Sequence, residues 1–387
     1  MKRSLNKLLF FIICAGFFIL PLVLFPSPSQ EVTRVFFLNR WVELLLLISL
    51  ILFFITKKKL KFSIFFAFLL VFFLIAFLTS IFGFDFRKSF WGNYFRADGL
   101  FTYLHLLILL LIFSVFWENS WKKNLIYSIN LGSILASLLF LANKVIGNKL
   151  GLSSFSQPIL LSGYLLVTFP FLFYLFKKQN QKIYRVVLAL LMFIQVTAIC
   201  LTGALGGIIG LSIFFLITVL ELHKKNKKII LAGIGIFLSL IIMYVVATRI
   251  KNKSNFVAES RERIFTKLIL GWTKKPLLGY GWANVDYAFE AVDWPMRFSK
   301  DVYVDKAHSM ILEVLVTTGI LGLITYLLLL VISFKRLIKK LKKEKRDKFW
   351  VKTLIMIFLL YVFHSQTNVI SIAEEAVFWF ILGLAAV

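Results

Sequence analysis

The chain has 387 residues, of which 60% are hydrophobic and 44 are phenylalanine; its mean hydropathy is +0.88 and its formal net charge +27. Charge-free stretches of about 20 residues recur along its whole length, which excludes a soluble globular domain. Nothing alternates as the strands of an outer-membrane barrel do, so an all-α, polytopic transmembrane helical bundle is the expected fold, each span satisfying its own backbone hydrogen bonds.

In chain order, spans are predicted near 8–25, 41–56, 62–82, 100–117, 124–146, 158–176, 183–201, 203–222, 229–248, 309–332 and 350–371, with a twelfth from about 376. The first segment carries Lys2, Arg3 and Lys7 ahead of an apolar run, as a signal peptide would. No small-residue cleavage site follows it, and Pro26-Ser27-Pro28 reads as a loop, so it is taken as a helix. The spans divide the chain into N-terminal helices (1–248), a large loop (249–308) and C-terminal helices (309–387). Only 12 residues follow Glu374-Glu375, short of the roughly 20 a span needs, so the chain reads as a piece of a longer protein.

Lysine and arginine gather on the cytoplasmic side of membrane helices. With the N-terminus inside, the basic clusters from Lys57, Lys122, Lys177 and Lys224 and the run from Lys335 to Lys352 all fall on the inner side. That arrangement puts 27 of the 45 Lys and Arg inside and 18 outside, or 27 against 7 without the long 249–308 loop. The large loop is therefore expected on the extracytoplasmic face. Basic loops of this kind meet anionic lipid headgroups, so the charge does not call for nucleic acid. Cys14 and Cys200 both lie within apolar spans, with no metal or disulfide spacing.

Polar groups among apolar ones are costly, so the outer loops and outer helix ends are the places to look for chemistry. The loop Phe86 to Gly99 combines Arg87, Lys88 and Arg96 with aromatics; Trp91 and Tyr94 equally suit an interfacial belt. In the large loop, Arg261 to Leu270 has helical apolar spacing and is expected to lie along the membrane surface, with Arg261 and Arg263 available to phosphate. His308 stands where the loop meets a hydrophobic helix carrying Glu313, and is a candidate general base that Asp305 could orient. A structural interfacial histidine is the alternative. His364, Ser365, Gln366 and Asn368, in the outer part of the eleventh span, either line a site or bond neighbouring helices.

Arg261 and Phe265, then Lys275-Pro276-Leu277-Leu278-Gly279-Tyr280-Gly281, then Asp305-Lys306-Ala307-His308 and Thr318-Gly319-Ile320-Leu321-Gly322 resemble the O-antigen ligase and polymerase superfamily of membrane glycosyltransferases. Weaker matches are Ser89-Phe90-Trp91-Gly92 with Arg96 and Gly99, and Gln157-Pro158 with Gly163-Tyr164. The resemblance implies transfer of a glycan from an undecaprenyl-pyrophosphate-linked oligosaccharide to a hydroxyl on a glycan, lipid or protein acceptor. The setting it implies is the outer face of a bacterial cytoplasmic membrane, without metal or other cofactor. His308 is then the catalytic base, and Arg96, Arg261 and Arg263 bind the donor pyrophosphate. Asp305, Lys306, Gly279 and Gly281 support them. One departure stands out: where relatives carry an arginine at the start of the eighth span, this sequence has Leu205. Arg96, Arg263 or Lys306 would have to substitute. Two other classes are open: a transporter of lipid-linked saccharides, and a non-catalytic cell-envelope scaffold. The absence of internal repeats and of midplane charges speaks against the first.

Overall fold

The computed structural model describes residues 2–24, 29–57, 62–146, 155, 157–222, 259–295 and 303–386, and among these it contains helices and no strand. The N-terminal helices are α1 (Lys2–Ile19), α2 (Gln30–Thr56), α3 (Ile64–Ile81), the short α4 (Phe86–Trp91), α5 (Leu100–Phe116), α6 (Lys122–Val145), α7 (Pro158–Lys178), α8 (Lys182–Leu201) and α9 (Leu205–Leu222). After them come α10 (Arg261–Lys274), the short α11 (Val285–Glu290), α12 (Met310–Lys343), α13 (Lys348–Ser365) and α14 (Ile372–Ala386). Eight of the described helical stretches are long and apolar enough to cross a membrane, and Leu100–Phe116 and Leu205–Leu220 are apolar but shorter. The span expected at 229–248 lies outside the described residues.

Every residue of α14 is buried, in a ring formed by α5, α12, α7, α13 and α2. On the outside, α8 shows Ile183, Val186, Leu190 and Phe193 as exposed apolar side chains, which is how a wall facing lipid is built.

Two helix starts differ from the hydropathy reading for the same physical reason. α2 starts at Gln30 rather than 41, because Ser29 caps it and Glu31 and Arg34 bury as an ion pair in its first turns. α13 stops at Ser365, and α14 starts at Ile372 rather than 376, taking Glu374 and Glu375 inside the helix. A buried polar residue with partners costs little, whereas a hydropathy average counts it as loop.

The described part of the 249–308 loop is folded. Helix α10 is amphipathic as expected, but its apolar face packs on protein instead of the bilayer: Ile264 and Leu268 join Tyr280, Val285, Phe289 and Ala307 in a small core that includes Leu312 and Val316 of α12. This cap is locked to α12 by a backbone exchange. At Gly319 (φ 66°, ψ −170°) the helix breaks its ladder, and the freed carbonyls of Val316 and Thr317 accept from Tyr280 N (3.0 Å) and Gly281 N (2.9 Å). Ile320 N returns a bond to Pro276 O at 2.9 Å. A Cβ on Gly279 would strike Val316 O, and one on Gly319 would strike Leu277 O. The Pro-Leu-Leu-Gly turn and the Thr-Gly helix are thus two halves of one joint. Gly319→Ala is expected to cost about 1–3 kcal/mol of backbone strain before the displaced carbonyl is counted, read as a lowered thermal midpoint of the solubilised protein. An unchanged midpoint would show that the joint does not hold the cap.

Candidate active site

One cleft opens at the end of the bundle where the cap sits. Its walls come from the start of α2 (Glu31), the loop after α4 (Arg96, Asp98), α5 (Tyr103), the loop into α12 (Lys306, His308) and the α13–α14 turn (Asn368). Glu313 of α12 and Glu375 of α14 close it from inside the bundle.

His308 occupies the junction from cap to membrane helix in a left-handed conformation, φ 54°. Bulky residues adopt this region at a cost, and here the next turn over-determines it. Ser309 caps α12 by accepting from Leu312 N at 3.4 Å, and donates to Gln366 Oε1 at 3.0 Å, which also accepts from Ile311 N. Burial, with Arg261 close by, lowers the imidazole pKa to about 4; Asp305 opposes the shift and Arg96 adds to it. The ring is therefore neutral at pH 7 and able to accept a proton.

Asp305 does not hold that ring. Its carboxylate accepts from Arg96 Nε at 2.6 Å and from Asn93 Nδ2 at 3.3 Å, so it orients the guanidinium rather than the imidazole. Burial works against both charges, yet the pairing holds the Asp305 carboxyl below its ordinary value and raises Arg96 above its own. Lys306 has a different role from a free cation: Nζ lies 2.6 Å from both Asp98 Oδ2 and Glu313 Oε1. Burial lowers its affinity for a proton, but the two carboxylates overcome that and raise it.

Of the three donor-binding arginines inferred from sequence, Arg96 lines the cleft and Arg261 borders it through a lining residue. Arg261, in the first turn of α10, donates from Nη2 to Oδ1 of the lining residue Asn368 at 3.0 Å. Arg263, two residues on, faces the other way: Nε donates to Pro295 O at 2.7 Å, and Nη1 pairs with Glu259 at 2.8 Å. A helix turns 100° per residue, so both could not point to one ligand. Gly279 and Gly281 act at the joint with α12, away from the cleft lining. Trp91 and Tyr94 are exposed and do not line it either.

Several cleft residues escaped the sequence reading. Glu31 sits in what read as a loop; it pairs with Arg34 and accepts from Ile372 N at 3.1 Å. Glu375 accepts from Tyr361 Oη (2.8 Å), Trp379 Nε1 (3.0 Å) and Tyr103 Oη (3.3 Å). The available signal was the Glu31–Arg34 spacing of one helical turn directly before an apolar run. Among the described residues no group of three or more His, Cys, Asp and Glu is arranged to hold a metal ion.

The chemistry of such a cleft is that of a neutral base beside two guanidinium groups. Residues 187–327 match the family described as O-antigen ligase. This stretch belongs to the O-antigen ligase superfamily. The matched O-antigen ligase region runs from α8 into α12 and contains Arg261, His308 and both halves of the glycine joint; Arg96, Asn368 and Glu375 lie outside it. The match indicates an enzyme of the glycosyltransferase and ligase kind, and the long apolar helices indicate a multi-pass membrane protein. No curated protein matches the chain.

Proposed function

We propose that the protein transfers a glycan from an undecaprenyl-pyrophosphate-linked donor to an acceptor hydroxyl, without a metal, at the outer face of the bacterial cytoplasmic membrane. The observation that carries this reading is neutral His308 in one cleft with Arg96, with Arg261 close enough to lower its pKa and bonded to the cleft residue Asn368. In the step proposed, His308 takes the proton of the acceptor hydroxyl as its oxygen attacks the anomeric carbon. The bond from that carbon to the pyrophosphate breaks, and the pyrophosphate leaves with the electron pair. Arg261 and Arg96 offset the charge that develops on it. Orientation rests on the basic loops: with the clusters inside, α2, α10 and α12 begin, and α13 ends, on the outer side, the side of the cleft.

Arg261 is the sharper test of donor binding, since its described hydrogen bond goes to a neutral amide while Arg96 already faces Asp305. Charge-assisted bonds contribute about 1.5–3 kcal/mol, so Arg261→Ala is expected to weaken binding of undecaprenyl pyrophosphate about ten-fold or more. Arg261→Lys should recover only part, because it lacks the two-pronged fork. Unchanged affinity in the Ala variant would remove Arg261 from the donor site.

A further inference from the structure

Four side chains form a hydrogen-bonded line from the interior of the bundle to the cleft. His364 Nδ1 lies 2.9 Å from Glu374 Oε1, Asn368 Nδ2 lies 3.2 Å from His364 Nε2, and Arg261 Nη2 donates to Asn368 Oδ1 at 3.0 Å. His364 and Glu374 are fully buried and Asn368 is 4% exposed.

The direction of each bond follows from what each group can do. An ionised carboxylate only accepts, so Nδ1 carries the ring proton and Nε2 is left as an acceptor. The amide must then turn its NH2 to His364 and its oxygen to Arg261, whose guanidinium only donates. The opposite amide orientation would place NH2 against guanidinium. One arrangement of protons therefore fits the whole line, and it fixes Arg261 through a neutral partner.

Neighbouring helices leave out side chains where this line passes. A Cβ on Gly163 of α7 would run into Glu374 and the His364 ring, and one on Gly206 of α9 would run into Asn368 Nδ2 and Thr367 Oγ1. Gly206 directly follows Leu205, the position at which the resemblance expects an arginine. The turn into α9 thus backs the residue that holds Arg261 and supplies no cation of its own.

The other two cations of the cleft are matched by carboxylates: Arg96 by Asp305, and Lys306 by Asp98 and Glu313. A neutral holder differs in kind, because it orients the guanidinium without cancelling its charge. We infer that Asn368, aligned from behind by His364 and Glu374, is a positioning residue that sets Arg261 toward the donor pyrophosphate while leaving its charge to the ligand. The inference rests on the reading of Arg261 as a donor-binding residue.

The test is a double-mutant cycle on the full chain in lipid nanodiscs, titrated with undecaprenyl pyrophosphate. Asn368→Leu is expected to weaken binding about ten-fold in the wild-type background and to have no further effect with Arg261→Ala. Asn368→Asp is a same-sized variant that keeps an acceptor for Arg261, and is expected to weaken binding too, because its carboxylate cancels the charge that Asn368 leaves free. Equal losses from Asn368→Leu in both backgrounds, or an Asn368→Asp variant that binds as well as wild type, would overturn the positioning role and leave the donor site standing. Wild type without affinity for the carrier, or Arg261→Ala binding as tightly as wild type, would overturn both.

Discussion

His308→Gln is expected to lower glycan transfer by about 10²–10⁴-fold while donor binding stays close to wild type. Glutamine keeps hydrogen-bonding capacity and approximate size but cannot take a proton, so the variant separates base from orienting group. The pH profile of the wild type carries the same claim. With the imidazole pKa lowered to about 4 by burial and by Arg261, the free enzyme keeps a neutral base down to that pH. The acid limb of kcat/KM, which reports the free enzyme, should therefore fall near 4 instead of near 6.5. A bound pyrophosphate places negative charge against the two arginines and raises the pKa, so the acid limb of kcat should lie higher. The same shift acts on stability: between these pH values the unfolded chain binds more protons at this site than the folded one. The contribution is present above about 6.5 and is lost as pH falls toward 4. Transfer by the Gln variant near the wild-type rate would defeat the base assignment.

Lys306→Met should be the most destabilising substitution in the cleft. It removes the one cation that sits 2.6 Å from both Asp98 and Glu313 and leaves two carboxylates in a buried setting. Breaking a buried ion pair from one side costs about 3–5 kcal/mol, so the solubilised protein should show a clearly lowered thermal midpoint. Adding Glu313→Gln to the same chain should return part of the loss, because one stranded charge is gone. If Lys306→Met keeps its midpoint and loses donor binding instead, Lys306 is a ligand-binding cation and not a structural clamp.

The parts legible in the sequence were those written in runs. Apolar stretches marked the spanning helices that start near residues 62, 100, 158 and 183, and the glycine-bearing motifs around 276–281 and 318–322 marked the two segments of chain that interlock. His308 was legible because it is the one histidine at the junction between a long polar loop and an apolar helix, where a titratable ring stands out from its neighbours. What stayed hidden were polar residues placed inside helices: Glu31 and Arg34, Glu374 and Glu375 all lowered the local hydropathy and pushed the apparent helix starts later. Their cost is met by partners that lie far away in the chain, Ile372 N for Glu31 and Tyr103 for Glu375, and no local pattern records those. The same limit explains Asp305, which lies three residues from His308 yet bonds Arg96 across 209 positions. Arg263 shows the converse: helical geometry separates it from Arg261 although the two look equivalent in the sequence.

The most direct test of the proposed reaction is reconstitution of the purified protein in liposomes with a defined undecaprenyl-pyrophosphate-linked oligosaccharide and a hydroxyl-bearing acceptor. Product linkage, free carrier pyrophosphate and the leaflet of the carrier are followed together. The expected result is one new glycosidic bond for each carrier pyrophosphate released, on the side bearing the 249–308 loop, and loss of both signals in the His308→Gln protein. Movement of the intact lipid-linked donor across the bilayer with no bond formed, undisturbed by His308→Gln, would contradict it.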